Sequence, residues 1–343
     1  MPVVDYQEHP FAEFIKILGK GKKGSKPLTR EQAYQAMKMI LGGQVQSVQL
    51  GAFLMLMRVK EETPEELAGF VQAAREALPP LPEDFPQVQL DWSSYAGKRR
   101  QLPWFILSSL LLAENGITIL MHGTSGHTQG RIYTQHILEL LGLPAAHSYQ
   151  EAASQIADWG FSYLPLQCFS STLHEIIELR PLMGLRSPVH SIARMLNPSN
   201  APHSFQAIFH PGYSSMHQQA SHLIKQPNMA VLKGEGGEAE RNPDMVCKVQ
   251  SVHGNQLTEE EWPAMFAKRH RKPDLLDPKD LSAVWQGELA SEYAEATVIG
   301  TVAIVLKLMQ KADTQSQAEQ LAEHYWNQRA KEKFSAMATG VEV

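Results

Sequence analysis

Apolar residues recur at helical spacing through the first 80 positions, broken by short polar punctuation. Thr29, with Gln32 three residues on, predicts a helix start, and Ala33, Met37, Ile40 and Leu41 continue as one apolar stripe up to Gly42 and Gly43. Positions 50–59 form an apolar run without alternation, read as a buried helix. Thr63, Pro64 and Glu66 supply a cap, a first-turn proline and a capping-box partner for a helix showing Leu67, Phe70, Val71 and Ala74 on one face. Pro79, Pro80 and Pro82 end it and mark a boundary. The rhythm then changes. Short runs at 88–91, 117–121, 161–166, 207–210, 229–232 and 245–249 read as strands, with helices at 103–114, 131–141 and 217–225 among them. Segment 170–195 reads as one helix carrying Arg180, Arg186 and Arg194, and 291–310 and 314–337 as closing helices. This order predicts an α/β fold: a small all-helical domain and a larger α/β domain with a mainly parallel sheet. Ligands of such sheets bind beyond the carboxyl ends of strands, which singles out the loops at 92–102 and 122–130.

The 343 residues suffice for about two domains and a core that needs no staples. Two cysteines, Cys168 and Cys247, exclude a disulfide scaffold and a four-thiolate zinc site, which fits a reducing, cytoplasmic setting. The N-terminal stretch lacks a basic segment followed by an apolar one, so secretion is not expected. The longest apolar stretch, 297–309, is 13 residues long and contains Lys307, too short to span a bilayer. Net charge is −5, but its distribution is uneven. From Lys16 to Arg30 there are six basic residues and no acidic one; Lys98-Arg99-Arg100 and 268–272 form two further basic clusters. Such clusters create local fields that net charge conceals, or they are solvated loops.

The stretches LTREQAYQAMKMILGG (28–43), LGAFLMLMRVKEETPEELAGF (50–70) and ELRPLMGLRSPVHSIARMLNP (178–198) resemble the anthranilate phosphoribosyltransferase family. The resemblance runs over roughly 10–335. It implies a helical domain over 1–82, joined by a segment at about 168–197 that returns to it, and an α/β domain over 83–167 and 198–343. It also implies a cleft between the two domains and a homodimer through the helical domains.

In that family a glycine-rich GTGGD loop grips the pyrophosphate of phosphoribosyl pyrophosphate, because backbone N–H groups surround phosphate oxygens only where side chains do not intrude. Here the stretch after Leu90 is Asp91-Trp92-Ser93-Ser94-Tyr95-Ala96-Gly97-Lys98, with one glycine and three aromatic or basic side chains. The family's KHGNR-like loop corresponds to Met121-His122-Gly123-Thr124-Ser125, which has lost both cations, although Arg131 follows. Its DGLDE-like loop, whose Asp-Glu pair binds Mg²⁺, corresponds to 233–238. Glu238 matches the pair's Glu and Gly237 replaces its Asp, with Glu235 and Glu240 nearby. Arg180 matches an arginine that contacts the anthranilate carboxylate, and Arg194-Met195 replaces a Gly-Pro pair. Substrate or phosphate candidates are therefore Gly97, Lys98, His122, Gly123, Arg131, Arg180 and Arg186, with Glu238 the one metal candidate.

These departures resemble a divergent branch of the family that binds nucleic acid through a basic dimer surface. On that reading the chain binds DNA or RNA largely without sequence preference, needs no cofactor, and contacts phosphates through Lys20, Lys22, Lys23, Lys26, Lys98, Arg99 and Arg100. Lys268, Arg269, Arg271 and Lys272 are a second patch. Trp92 and Tyr95 either stack on bases or serve packing. The alternative is a Mg²⁺-dependent glycosyl or phosphoribosyl transferase acting on phosphoribosyl pyrophosphate and an aromatic amine.

Overall fold

The computed structural model describes residues 7–334 except Ser125 and His127, and for Lys22 the backbone alone. The side chain of Lys22 and residues 335–337 lie outside the described residues, and the closing helix expected over 314–337 ends at Gln328. Five helices open the chain: α1 Ala12–Gly19, α2 Gly21–Gly24, α3 Arg30–Leu41, α4 Ser47–Lys60 and α5 Pro64–Glu76. Thr29 and Thr63 each close a capping box, with Gln32 and Glu66 reaching back to the cap N–H. There follow β1 Leu90–Ser94, α6 Phe105–Glu114, β2 Ile119–Gly123, α7 Thr134–Leu140, α8 Tyr149–Trp159 and β3 Phe161–Pro165. Next come α9 Ser171–Glu178, α10 Arg180–Met183, α11 Val189–Arg194, β4 His203–Ile208, α12 Tyr213–Leu223 and β5 Asn228–Lys233. The chain ends in β6 Cys247–His253, β7 Gln256–Trp262, α13 Asp280–Gln286, α14 Glu292–Leu308 and α15 Gln315–Gln328.

The strands form one sheet in the order β3-β2-β1-β4-β5-β6-β7. The first five are parallel, and β6 and β7 add an antiparallel edge. Apolar residues of α6 and α14 share a core with one face of the sheet, including Trp92, Phe105, Phe205 and Val302. The helices of the first 80 residues share a second core with Leu166, Phe169, Ile177 and Ile192 from the 166–196 segment. Arg75 of α5 fixes that contact, donating to the carbonyl of Met195 at 2.9 Å and to Gln226 at 3.0 Å.

One sequence expectation is corrected, and two elements went unread. The single helix at 170–195 is three short ones, because Pro181, Gly184 at φ 74° and Pro188 each interrupt it. Strand β7 was not foreseen: its three consecutive glutamates mask a charged edge strand of the kind that resists further pairing. Helix α8, capped by Ser148, was also missed.

A buried polar chain crosses the sheet. Ser204 Oγ donates to Asp91 Oδ2 at 2.9 Å, Gln206 Nε2 donates to Ser204, and the His217 imidazole meets Gln206 Oε1 at 3.0 Å. Burial first, and then Arg194, pushes His217 down to about 3. The unfolded chain therefore binds a proton near pH 6.5 that the folded chain refuses until about pH 3, so stability rises with pH across that window. His217→Gln is expected to flatten the rise. Urea midpoints at pH 4.5 and 7.5, compared between variant and parent, measure it; an unchanged difference contradicts the assignment.

Candidate functional site

The carboxyl ends of β1, β2 and β5 meet at one place, where three loops lock together. After β1 the chain turns at Gly97, φ 65°, and Lys98 makes an antiparallel bridge with Ile132. Arg131 Nη1 donates to the carbonyls of Ala96 at 2.7 Å and Gly97 at 3.1 Å. From the other side the N–H groups of Ala96 and Gly97 both donate to Glu238 Oε1, each at 2.6 Å. The loop of Gly234, Gly236 and Gly237 makes that approach possible: a Cβ on Gly236 would sit 2.6 Å from the carbonyl oxygen of Gly97.

Lys98 is corrected from a surface phosphate contact to a buried structural cation. It is 1% exposed, with its ammonium 2.5 Å from Glu240 and 3.0 Å from Glu235. Burial opposes its charge, but the two carboxylates outweigh burial and raise its pKa. Glu240 also accepts the N–H of Phe105 at 2.8 Å. The base-stacking option for Trp92 and Tyr95 is likewise corrected. Trp92 is wedged between Phe105 and Phe205, with ring centroids at 6.3 and 4.8 Å, and both Trp92 and Tyr95 are fully buried.

His122 and Gly123 are corrected as ligand contacts. His122 is fully buried, its Nδ1 2.7 Å from the Tyr95 hydroxyl, while its Nε2 lies 3.1 Å from Asp91 Oδ1 without hydrogen-bond geometry. We read that last contact as electrostatic proximity, since both atoms lack any hydrogen-bond partner. Gly123 packs so closely that a Cβ there would lie 1.9 Å from the Ser94 carbonyl oxygen. Gly97 is in the loop as expected, but its N–H is already engaged by Glu238.

Beside this closed loop lies a group of arginines. Arg180 donates to Thr128, and Arg194, 6% exposed, donates to the carbonyl of His190. Arg186 is half-buried and held down to about 10, by burial first and then by Arg194, Arg131 and Arg180. Arg194 is lowered by burial and supported in its charge by Glu238. The sequence reading missed Arg194 as a site residue. The available signal was an arginine in an apolar context, at the position where the family resemblance places glycine.

The outer clusters divide. Arg99, Arg100, Lys268, Arg269, Arg271 and Lys272 are exposed, although Arg271 pairs with Asp274 at 3.1 Å. Gln101 and Trp104 line one cavity with His270, Arg271 and Leu276, and Leu276 lines a second with Arg131 and Tyr133. Gln101, next to the 99–100 cluster, and Arg271 of the 268–272 cluster thus line the same cavity. Lys20, Lys23 and Lys26 are exposed at the other end of the sequence, around α2.

Residues 12–78 match the family model described as glycosyl transferase family, helical bundle domain. The chain is 29% identical over 210 residues to the uncharacterized protein YbiB of Escherichia coli K12, a match spanning 59% of this chain and 64% of that protein. Its fold is similar to the anthranilate phosphoribosyltransferase of Thermus thermophilus, with TM-score 0.76, 20% identity, and coverage of 91% of this chain and 94% of that one. It is also similar to the Saccharomyces cerevisiae anthranilate phosphoribosyltransferase in complex with PRPP and Mg, with TM-score 0.72, 15% identity, and coverage of 92% and 93%.

The last structure overturns the expectation that no cofactor belongs to this chain, because a protein of this fold was solved with Mg and PRPP together. The residues here offer such an ion one fitting oxygen: Glu238 Oε2 is buried and has no hydrogen-bond partner. Mg²⁺ commonly takes one or two carboxylates with substrate phosphates completing its shell. Among the described residues no helix is long and apolar enough to cross a membrane. The chain thus carries a glycosyl transferase family helical bundle domain over residues 12–78 and has a fold similar to that of solved anthranilate phosphoribosyltransferases.

Proposed function

We propose that this protein binds nucleic acid, largely without sequence preference, by gripping the phosphate backbone through its exposed cations. The observation that carries this reading is the exposure of Arg99, Arg100, Lys268, Arg269, Arg271 and Lys272, with Arg271 and Gln101, the neighbour of Arg100, lining one cavity. Lysine and arginine contacts to phosphates supply affinity without base information. Further support comes from Ala96, Gly97 and Lys98, whose donors are spent on the chain's own glutamates. Arg186 is held down first by burial and then by three neighbouring arginines, and an anion seated there would relieve the repulsion among them. Phe209 is 50% exposed, and its backbone N lies 3.5 Å from where a Cβ on Gly237 would be. Its half-exposed ring, in T-shaped contact with His210 at 4.8 Å between centroids, suits stacking by a base, which favours single strands. A cytoplasmic homodimer belongs to the same proposal; Val48 and Val59 of α4, 80% and 82% exposed, are apolar surface a second copy would cover.

A second reading is Mg²⁺-dependent phosphoribosyl transfer from phosphoribosyl pyrophosphate to an aromatic amine. The comparisons favour it over nucleic-acid binding, and the unpartnered oxygen of Glu238 is the residue-level observation behind it. Glu238 would hold the ion, and Arg131, Arg180 and Arg186 would face the phosphates. Two assays on the same preparation separate the readings. One incubates anthranilate, phosphoribosyl pyrophosphate and Mg²⁺ with the protein and follows product. The other follows the anisotropy of a labelled 20-nucleotide single strand. Binding without turnover is the expected result; saturable turnover without binding would install the second reading.

A further inference from the structure

A cavity of about 290 Å³ is walled by Gln101 and Trp104 before α6, His270 and Leu276 after β7, and Leu289 and Tyr293 around the start of α14. None of Arg131, Arg180, Arg186 and Arg194 lines it. Its volume is at the small end for ligand pockets and suits a single planar heterocycle. Two groups in its walls have hydrogen-bonding capacity to spare. Trp104 is 5% exposed, and its Nε1–H has no hydrogen-bond partner, a costly state for a buried donor. Trp92 and Trp262 also keep idle indole N–H groups, but those two are enclosed in the core. His270 is oriented by the buried Asp244: Nδ1 lies 2.7 Å from Oδ1, and the His270 backbone N–H donates to Oδ2 at 3.0 Å. An ionised carboxylate only accepts, so Nδ1 carries the ring proton and Nε2 of the neutral imidazole is an acceptor. The Glu292 carboxylate stands 3.8 Å from Nε2, beyond hydrogen-bond distance. Phe266 and Tyr293 hold the ring edge-on, with centroids at 4.5 and 5.6 Å.

We infer that this cavity receives one unpaired nucleobase by its Watson–Crick edge, which accepts from Trp104 Nε1 and donates to His270 Nε2. Each of the common bases carries one donor beside one acceptor on that edge, so the pocket takes any of them and adds little sequence preference. In a duplex the same edge is already engaged, so the pocket selects single strands. Asp280 and Glu292 also line the cavity, which repels a phosphate from the interior but not an uncharged base. Arg271 lines it too and is 86% exposed, and Gln101 adjoins Arg100, so phosphates flanking a seated base have cations to meet. The inference rests on the nucleic-acid reading for the source of the base, and the test separates the two.

Two labelled 20-nucleotide strands are titrated by anisotropy, one of thymidine and one of N3-methylthymidine. They share phosphates and stacking faces, but the methylated base cannot donate from its edge. The parent is expected to bind the methylated strand at least about fivefold more weakly, the low end for a paired base contact. Trp104→Phe, which removes the donor and keeps an aromatic ring, should weaken the thymidine strand and leave the two strands nearly equal. Leu289→Trp, which fills the cavity from a partly exposed position, should do the same and serves if Trp104→Phe does not fold by circular dichroism. Equal binding of the two strands by the parent overturns the pocket and leaves the phosphate grip standing. A difference that survives in a folded variant overturns it as well. If neither strand binds, the nucleic-acid reading falls, and calorimetric titration of free thymidine decides the pocket alone. Thymidine binding lost in Trp104→Phe supports a nucleoside site, and absence of thymidine binding overturns that too.

Discussion

Lys98→Met is expected to destabilise the protein more than any charge change at the neighbouring positions. The substitution keeps most of the packing volume but leaves Glu240, buried, and Glu235 without their shared cation. Breaking a buried ion pair on one side costs about 3–5 kcal/mol, because the remaining charge is uncompensated. At the usual scaling for large domains this lowers Tm by roughly 5–10 °C. Arg99→Ala, one residue along and exposed, is expected to change stability by no more than about 0.5 kcal/mol. Thermal melts of the two variants give the comparison. Adding Glu240→Gln to Lys98→Met should recover part of the loss, since it removes one stranded charge. Equal melting temperatures for Lys98→Met and the parent would mean that Lys98 is not locked in the interior.

Arg99→Ala with Arg100→Ala is expected to weaken single-stranded oligonucleotides of different sequence by similar factors. Each lost contact to a single-strand phosphate removes about 0.7 from the slope of log K against log salt, so the pair should make the slope shallower by about 1.4. At salt near physiological concentration this corresponds to a loss of roughly tenfold in affinity. Because both side chains are exposed, melting should be nearly unchanged, which separates lost phosphate contacts from lost structure. Phe209→Ala acts through a different term. It should lower single-strand affinity by about 1–3 kcal/mol, the value of one base–aromatic stack, and leave the salt slope as it was. Anisotropy titrations at several salt concentrations read both effects. A slope unchanged in the double-arginine variant would remove these two arginines from the account.

The helical start of the chain was legible because its signals are local. Thr29 with Gln32 and Thr63 with Glu66 lie within one turn of each other, and both pairs form the boxes that the residues predict. Four of the parallel strands were legible in rough place, but β4, whose apolar residues alternate with polar ones, was read at 207–210 and lies at His203–Ile208. Lys98 was not. Three consecutive basic residues read as surface, while the carboxylates that bury the first of them stand about 140 positions away in sequence. Glu238 posed the same difficulty: its loop was found through family resemblance, but nothing in spacing could show that it answers the N–H groups of Ala96 and Gly97. The 170–195 helix failed for a different reason. Its prolines and glycine were visible, but the apolar periodicity was given more weight than the breakers. Those breaks turn the backbone between Arg180, Arg186 and Arg194, which the folded chain brings into one electrostatic group.

The central claim is that exposed cations hold a nucleic-acid backbone, and a salt titration of the unaltered protein tests it most directly. A labelled 20-nucleotide single strand is titrated at ionic strengths from about 50 to 300 mM, a range over which counterion release dominates. About five phosphates held by the Arg99–Arg100 and 268–272 clusters give an expected linear slope near −3.5. Absence of binding at the lowest salt, or a slope close to zero, would contradict the account.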